Sequence, residues 1–311
     1  MSFNKKVAIM MATFNGEKYL SLQIESILAQ RYKNWVLFIR DDNSSDGTND
    51  IIDYYVKKYP QKIVQVRDND IAKSACRNFL LLMKYIKKTD DYNKFDYFMF
   101  SDQDDYWLDD KISECISSSE ESIPMLIHTD LTVVDDELNV LNKSFIRMQS
   151  LKPHKKKLNN LLIQNDVTGC TMFWNKKLMN LIKEKPLDIY MHDWYIAILA
   201  MCYGKILYID KSTILYRQHS NNVLGAKKNS ILRIVSKLLG GNNVRKYLMD
   251  SFYQAEKIDE EYDLPQDMNE TLKKFINVKN IKSKICRVVY IFKNGFLENG
   301  ILKLISEIIY I

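Results

Sequence analysis

The sequence predicts an α/β protein built on a largely parallel sheet, and three observations carry that expectation. Strand-like and helix-like segments alternate through the first half of the chain, the pattern of a sheet wrapped by helices. Three strand-like runs end abruptly in polar residues, at 13–15, 41–46 and 102–105. In open α/β sheets ligands sit beyond the carboxyl ends of the strands, so these exits are where a site would be built. The third observation is the sharpest: the aromatic run Tyr97-Phe98-Met99-Phe100 passes through Ser101 straight into Asp102-Gln103-Asp104-Asp105. If strand geometry persists, the side chains of Asp102 and Asp104 leave the same face and converge. Two converging carboxylates repel unless a cation lies between them, and hard ions such as Mg²⁺ or Mn²⁺ take oxygen ligands. The competing reading is an acidic turn capping a helix that begins near Leu108.

Taken in order, residues 7–13 are apolar almost throughout and read as a strand buried on both faces. Phe14-Asn15-Gly16-Glu17 turns the chain, and Leu20, Ile24, Ile27 and Leu28 then recur at the spacing of one helical face. Residues 35–40 form a second strand. It ends in Asp41-Asp42-Asn43-Ser44-Ser45-Asp46-Gly47-Thr48, dense in turn formers, before a helix through Ile51, Ile52, Tyr55 and Val56. A short strand at 63–67 and a helix at 74–86 lead to the central strand. After a helix near 111–118, residues 125–130 and 131–134 read as added strands around a turn. The basic stretch 152–157 reads as a surface loop. Residues 166–174 read as a strand with Gly169 near its start, where Gly marks a bulge or a ligand's close approach. His192-Asp193-Trp194 opens an apolar helix, and strand-like segments at 205–209 and 213–216 lead to Arg217-Gln218-His219. Beyond Gly225 the chain turns helical and basic, so a main domain at 1–225 and a helical basic region at 226–311 are expected.

A chain of 311 residues exceeds what one core usually serves. No apolar run approaches the ~18 residues of a membrane span, and the first residues lack a signal peptide's pattern, so a cytoplasmic location is expected. Five scattered cysteines without a CxxC pair argue against disulfides and structural zinc. The net charge of +6 gathers in residues 271–311, where Lys273, Lys274, Lys279, Lys282, Lys284, Arg287, Lys293 and Lys303 face only Glu298 and Glu307. The aromatic and basic residues form no recognisable nucleic-acid module, so nucleic acid is not an expected partner. Apolar residues between these cations fit a helix lying on an anionic membrane surface, and equally a cover for the core or a dimer seam.

Together the motifs resemble the inverting glycosyltransferases of family 2. The resemblance spans residues 4–224 and rests on Ala12-Thr13-Phe14-Asn15-Gly16 with Tyr19-Leu20, then 41–48, Ser101-Asp102-Gln103-Asp104-Asp105, His192-Asp193-Trp194 and Tyr216-Arg217-Gln218-His219. It implies the GT-A nucleotide-diphospho-sugar transferase fold, a Rossmann-like mixed sheet flanked by helices, here with a C-terminal helical extension. It also implies sugar transfer from a nucleotide-diphosphate donor to a hydroxyl of a glycan or lipid-linked acceptor, with inversion and a divalent Mg²⁺ or Mn²⁺. Residues 101–107 and 216–222 look most like the bacterial branch that includes rhamnosyltransferases of surface polysaccharide assembly.

By that resemblance Thr13 and Asn15 lie against base and ribose, and Asp42 accepts a hydrogen bond from the base imide. Such a contact favours uracil or thymine and leaves UDP and dTDP both open. Asp104 is the most direct metal ligand, with Asp102 beside it at the nucleotide-sugar. His219 is a further ligand or a diphosphate contact. Arg217 is a phosphate partner or a structural ion-pair partner. The attacking hydroxyl must lose a proton, and the family's base falls on Asp193. His192 replaces the usual preceding acid and stays the alternative, while a helix N-cap is the plain structural role for Asp193. The residues suit the chemistry on their own account, because a departing diphosphate needs its negative charge neutralised. A sugar nucleotidyltransferase would carry a Gly-rich basic loop after the first strand, which Thr13-Phe14-Asn15-Gly16-Glu17 is not. A non-catalytic nucleotide-sugar or glycan binding protein would lack the acids. A lipid-linked acceptor and the basic tail together imply a peripheral place at the inner face of the cell membrane.

Overall fold

The computed structural model describes residues 4–155, 157–219 and 241–299. The first half follows the alternation in the sequence: β1 (Val7–Thr13), α1 (Glu17–Leu28), β2 (Trp35–Asp41), α2 (Thr48–Lys58), β3 (Ile63–Gln65), α3 (Ala75–Lys88) and β4 (Tyr97–Ser101). These four strands pair in parallel, with Thr13 level with Asp41 and Met11 level with Ser101. Parallel pairing makes successive strands leave the sheet at the same end. The three polar exits therefore lie side by side.

The second half adds β5 (Tyr106–Trp107), α4 (Lys111–Ser117), β6 (Met125–Val134), β7 (Val140–Asn142), α5 (Phe145–Met148), α6 (Leu158–Ile163), β8 (Met172–Asn175), α7 (Lys176–Leu181), α8 (His192–Tyr203) and β9 (Lys205–Arg217). β8 lies antiparallel between β4 and β6, β9 is parallel to β6, and β5 is antiparallel to β9. One mixed sheet results, in the order β3-β2-β1-β4-β8-β6-β9-β5, with β7 on β6.

Three segments differ from expectation. Residues 125–134 are one strand, not two, because the polar centre is satisfied without a turn: Thr129 and Thr213 hydroxyls bond at 2.7 Å, and Asp130 accepts from the Leu131 and Ile146 amides. The turn falls instead at residues 135–139, where Asp135 accepts from the amides of Glu137 and Asn139. The strand expected at 166–174 shrinks to β8, because the amide and hydroxyl of Thr171 both donate to the carbonyl of Thr168 and close a tight turn. The segments 205–209 and 213–216 are a single β9, whose register against β6 shifts near Ser212.

Alternation along the strands sorts the core into two layers. Val7, Ile9 and Met11 face α1, α2 and α4, while Ala8 and Met10 face α3 and α8. The helices α9 (Gly241–Glu261), α10 (Gln266–Asn277) and α11 (Lys284–Asn294) build no core of their own. Phe252, Leu272, Phe275 and Ile291 join the same buried cluster as Phe98, Trp174 and Trp194. The expected boundary at residue 225 and residues 300–311 of the tail lie outside the described residues. No described helix is long and apolar enough to cross a membrane.

Phe275 is fully buried, with its ring centroid 4.8 Å from that of Phe252 and 5.2 Å from that of Phe296. Phe275→Ala is expected to cost about 3–5 kcal/mol in urea denaturation, within one cooperative transition. A separate early transition, with the main one unmoved, would show that the tail folds apart from the sheet.

Candidate active site

β4 stops at Ser101, so the same-face convergence expected of Asp102 and Asp104 does not come from strand geometry. The chain instead bends through residues 102–105 and re-enters the sheet as β5. Both ends of the bend are pinned to α1: Gln23 Nε2 donates to Ser101 Oγ at 2.8 Å, and the Trp107 amide donates to Ser26 Oγ at 3.0 Å. The bend gives its carboxylates different partners. Asp105 turns inward, is fully buried, and accepts the Arg217 amide at 3.2 Å. Asp104 turns to β9, with Oδ2 2.9 Å from His219 Nε2. Asp102 brings an oxygen within 4.8 Å of ligand atoms on Asp105 and Cys170. Burial, then the charges of Asp104 and Asp193, push the Asp102 carboxyl up to about 7. Asp105 is driven well above the carboxylate range by burial and by Asp104 and Asp102.

The brace for this turn comes from β9 and the first turn of α1. Arg217 is 2% exposed; its Nε donates to the Asp104 carbonyl at 2.9 Å and Nη1 to the Asp136 carbonyl. The Tyr19 ring is the shared platform: Arg217 Cζ lies 4.6 Å from its centroid, and His219 stacks on it at 4.9 Å. Lys18 lies against the same ring and pairs with Asp136 at 3.0 Å. On the other side Gln103 clamps β1, its Oε1 accepting the Phe14 amide at 2.9 Å and its Nε2 donating to the Phe14 carbonyl at 3.0 Å. Glycine makes room for that clamp, since a Cβ on Gly16 would stand 2.4 Å from Gln103 Oε1 and displace it.

The first two exits are knitted together. Thr13 Oγ1 donates to Asp41 Oδ1 at 2.8 Å. Asn15, held at φ 47°, donates its amide to Ser44 Oγ and accepts the Ser45 amide on Oδ1 at 2.9 Å. The αL conformation is one that Asn tolerates. Asp42 accepts the amides of Ala72 and Lys73 at 2.6 and 2.8 Å, one on each oxygen. Arg40 Nη1 lies 3.6 Å from the oxygen that takes the Ala72 amide, so Asp42 is already paired with a cation on that side.

Asp193 sits at the start of α8, its Oδ1 accepting the Trp194 amide at 2.6 Å. Its neighbour His192 is built into the core: the imidazole stacks on Phe79 at 4.4 Å and meets Phe100 edge-on at 4.9 Å. Burial pushes that imidazole down to about 3, which makes it a weak proton acceptor. Gly169 lies under both residues; a Cβ there would be 3.2 Å from His192 Nε2 and 3.7 Å from Asp193 Cβ. What comes close to Gly169 here is α8, whereas the sequence predicts a bulge or a ligand.

Asp102, Asp104, Asp193, Arg217 and His219 therefore gather around the exit of β4, while Thr13, Asn15 and Asp42 stand at the adjoining exits of β1 and β2. The roles of Tyr19, Gln103, Asp105 and Cys170 were not read from the sequence. Gly16 and Gln103 are far apart in the chain, and no local pattern marks a pair of that kind. Like charges bearing on one another suit a divalent ion, and the oxygens of Asp102 and Asp104 with His219 Nε2 are donors that Mg²⁺ or Mn²⁺ accepts. Cys170 offers a soft sulfur, which suits hard Mg²⁺ or Mn²⁺ less well than the oxygens beside it.

Polar exits of parallel strands gathered on an acidic turn define a transferase of the GT-A class, and solved structures share the fold. Residues 1–349 of S. aureus TarS in complex with UDP-GlcNAc superpose with a TM-score of 0.56 at 16% identity, covering 93% of this chain and 81% of that one. A mannosyltransferase from Pyrobaculum calidifontis in complex with GDP-Man and Mn²⁺ gives 0.57 at 10% identity, over 94% and 74%. The chain belongs to glycosyl transferase family 2, whose profile matches residues 8–182, and it is a glycosyltransferase. It is 31% identical over 224 residues to the dTDP-rhamnosyl transferase RfbG of Shigella flexneri, covering 70% of this chain and 74% of that protein. It is 28% identical over 175 residues to the UDP-Glc:alpha-D-GlcNAc-diphosphoundecaprenol beta-1,3-glucosyltransferase WfgD of Escherichia coli, covering 56% of this chain and 62% of that protein.

The Gly16–Gln103 contact generates a double-mutant test. Gly16→Ala evicts the Gln103 amide from Phe14, so it should cost about 1–2 kcal/mol, the same as Gln103→Ala, and the double variant no more than either. Additive losses would show that the two residues act independently.

Proposed function

We propose that the protein transfers a sugar, with inversion, from a dTDP- or UDP-linked donor to a hydroxyl of a glycan or lipid-linked acceptor in surface polysaccharide synthesis. The observation that carries this reading is the meeting of Asp102, Asp104 and Asp193 at the β4 exit, where the charges of Asp104 and Asp193 both bear on Asp102; that arrangement supports a leaving-group site with a base beside it. Likeness to the Shigella enzyme favours dTDP-rhamnose as donor, and the E. coli relative makes UDP-glucose the second candidate. The acceptor named for that relative supports a lipid-diphosphate carrier, and with it a place at the inner face of the membrane. Residues 1–225 carry the site in this reading, and the helices α9, α10 and α11 close its core.

Thr13, Asn15 and Asp42 orient the nucleoside at the first two exits. Asp102, Asp104 and His219 would hold the divalent ion, which neutralises the departing diphosphate. Arg217 keeps Asp104 and His219 in place from below. Asp193 takes the proton of the acceptor hydroxyl as its oxygen bonds to the anomeric carbon and the carbon–oxygen bond to the diphosphate breaks on the opposite face. His192 supplies packing instead of basicity, because its imidazole is enclosed by Phe79 and Phe100.

Purified protein offered dTDP-rhamnose, UDP-glucose and UDP-GlcNAc with Mn²⁺, and again with EDTA, tests the proposal. Metal-dependent release of nucleoside diphosphate is expected, fastest from dTDP-rhamnose; no turnover of any nucleotide-sugar would sink it. Asp104→Asn should abolish turnover and weaken donor binding with metal, while the protein stays folded. Asp193→Asn should leave donor affinity within a few-fold and cut turnover by about two to four orders of magnitude. Lost donor binding in calorimetry would instead make Asp193 a binding residue.

A further inference from the structure

From the exposed face of α11 we infer that this helix docks the protein flat on an anionic lipid bilayer. The helix is sharply bounded: the Ser283 side chain accepts the Cys286 amide at its start, and Gly295 ends it in the left-handed conformation at φ 69°. At about 1.5 Å per residue it is roughly 16 Å long, too short to cross a hydrocarbon core of about 30 Å. Ile291 turns into the core, while Ile285, Val289 and Phe292, spaced i, i+4 and i+7, form one outward stripe. They are 77%, 60% and 48% exposed. Exposed Lys282, Lys284 and Lys293 flank the stripe. Residues 271–297 hold seven Lys or Arg and no Asp or Glu.

A row of aliphatic and aromatic side chains on an acid-free basic helix asks for a partner that is apolar in depth and anionic at its rim. A leaflet containing acidic lipids has that layering, with acyl chains for Ile285, Val289 and Phe292 and phosphates for the lysines. A protein groove would need acids fixed opposite each of the dispersed cations. Mobile headgroups meet them wherever they fall. The inference deepens the lipid-linked-acceptor part of the proposed function, but it rests on surface chemistry and is read out without any sugar transfer.

The test is sedimentation of the full chain with vesicles of phosphatidylcholine, with and without phosphatidylglycerol, at low and high salt. Binding to the anionic vesicles, weakening as salt rises, is expected. Ile285→Ser/Val289→Ser/Phe292→Ser should lower partitioning by at least about tenfold, since three apolar side chains lose their burial. Each of Lys282→Gln, Lys284→Gln and Lys293→Gln should lower it about fivefold. Thermal stability and donor turnover in solution should stay at wild-type levels in the serine variant. Equal sedimentation of wild type and serine variant, or no preference for the anionic vesicles, overturns the inference. So does gel filtration showing a wild-type dimer that the serine variant converts to monomer, which would make the stripe a self-association seam. If no nucleotide-sugar is turned over, the transfer reading falls and the vesicle result stands apart from it.

Discussion

Repulsion between carboxylates held close together is the constraint on which the rest of this structure depends. Asp102, Asp104 and Asp105 share one bend, and Asp193 adds its charge from the facing helix. In water such a group would spread apart, but partial burial strengthens the repulsion and fixed ends prevent the escape. The bend begins at the last residue of β4 and ends at the first of β5, and α1 hydrogen-bonds both strands beside it. The end of β9 completes the enclosure, with a guanidinium, an imidazole and an amide each given to a different part of the bend.

The three acids thereby do different work. Asp105, the most enclosed, is joined to β9 by a backbone amide and acts as the peg that sets the height of Arg217. Asp104 reaches His219, whose ring is held flat by Tyr19. Asp102 is left to feel the charges on either side. Gly169 matters for the same reason, because a Cβ there would press on His192, 3.2 Å away, as the turn before β8 passes under His192 and Asp193. The placement of Asp193 against the bend is thus set in part by the backbone of a turn.

Much of this was legible in the chain. Alternating elements and abrupt polar exits identify the sheet and its working end, since parallel pairing brings the exits of β1, β2 and β4 together. What local pattern could not supply was orientation. A two-residue spacing of acids is informative only while the strand lasts, and β4 ends one residue too early. His192 and Asp193 are adjacent in sequence, and the resemblance that puts the base at Asp193 leaves His192 as the alternative. One faces the aromatic wall of Phe79 and Phe100, the other the charged bend, and that difference comes only from the packing of α8. Buried polar residues misled in the other direction: Thr129 and Asp130 look like a turn, but partners on β9 and α5 let the strand run through them.

The tail shows the same limit. Phe275, Ile291 and Phe296 are in the core, while Ile285, Val289 and Phe292 point away from it, and the two sets are of one kind by composition and spacing. Helical periodicity says that a helix has an apolar side, not how many apolar sides it has or which one meets the protein. Reading the tail as either core cover or surface anchor therefore posed a false choice. Because Leu272, Phe275 and Ile291 are part of the same buried cluster as Trp194, removing the tail from about Asn269 would open the core that backs α8. The outward stripe can be tested only by changing its own residues, with the inward set left in place to hold Asp193 where the site needs it.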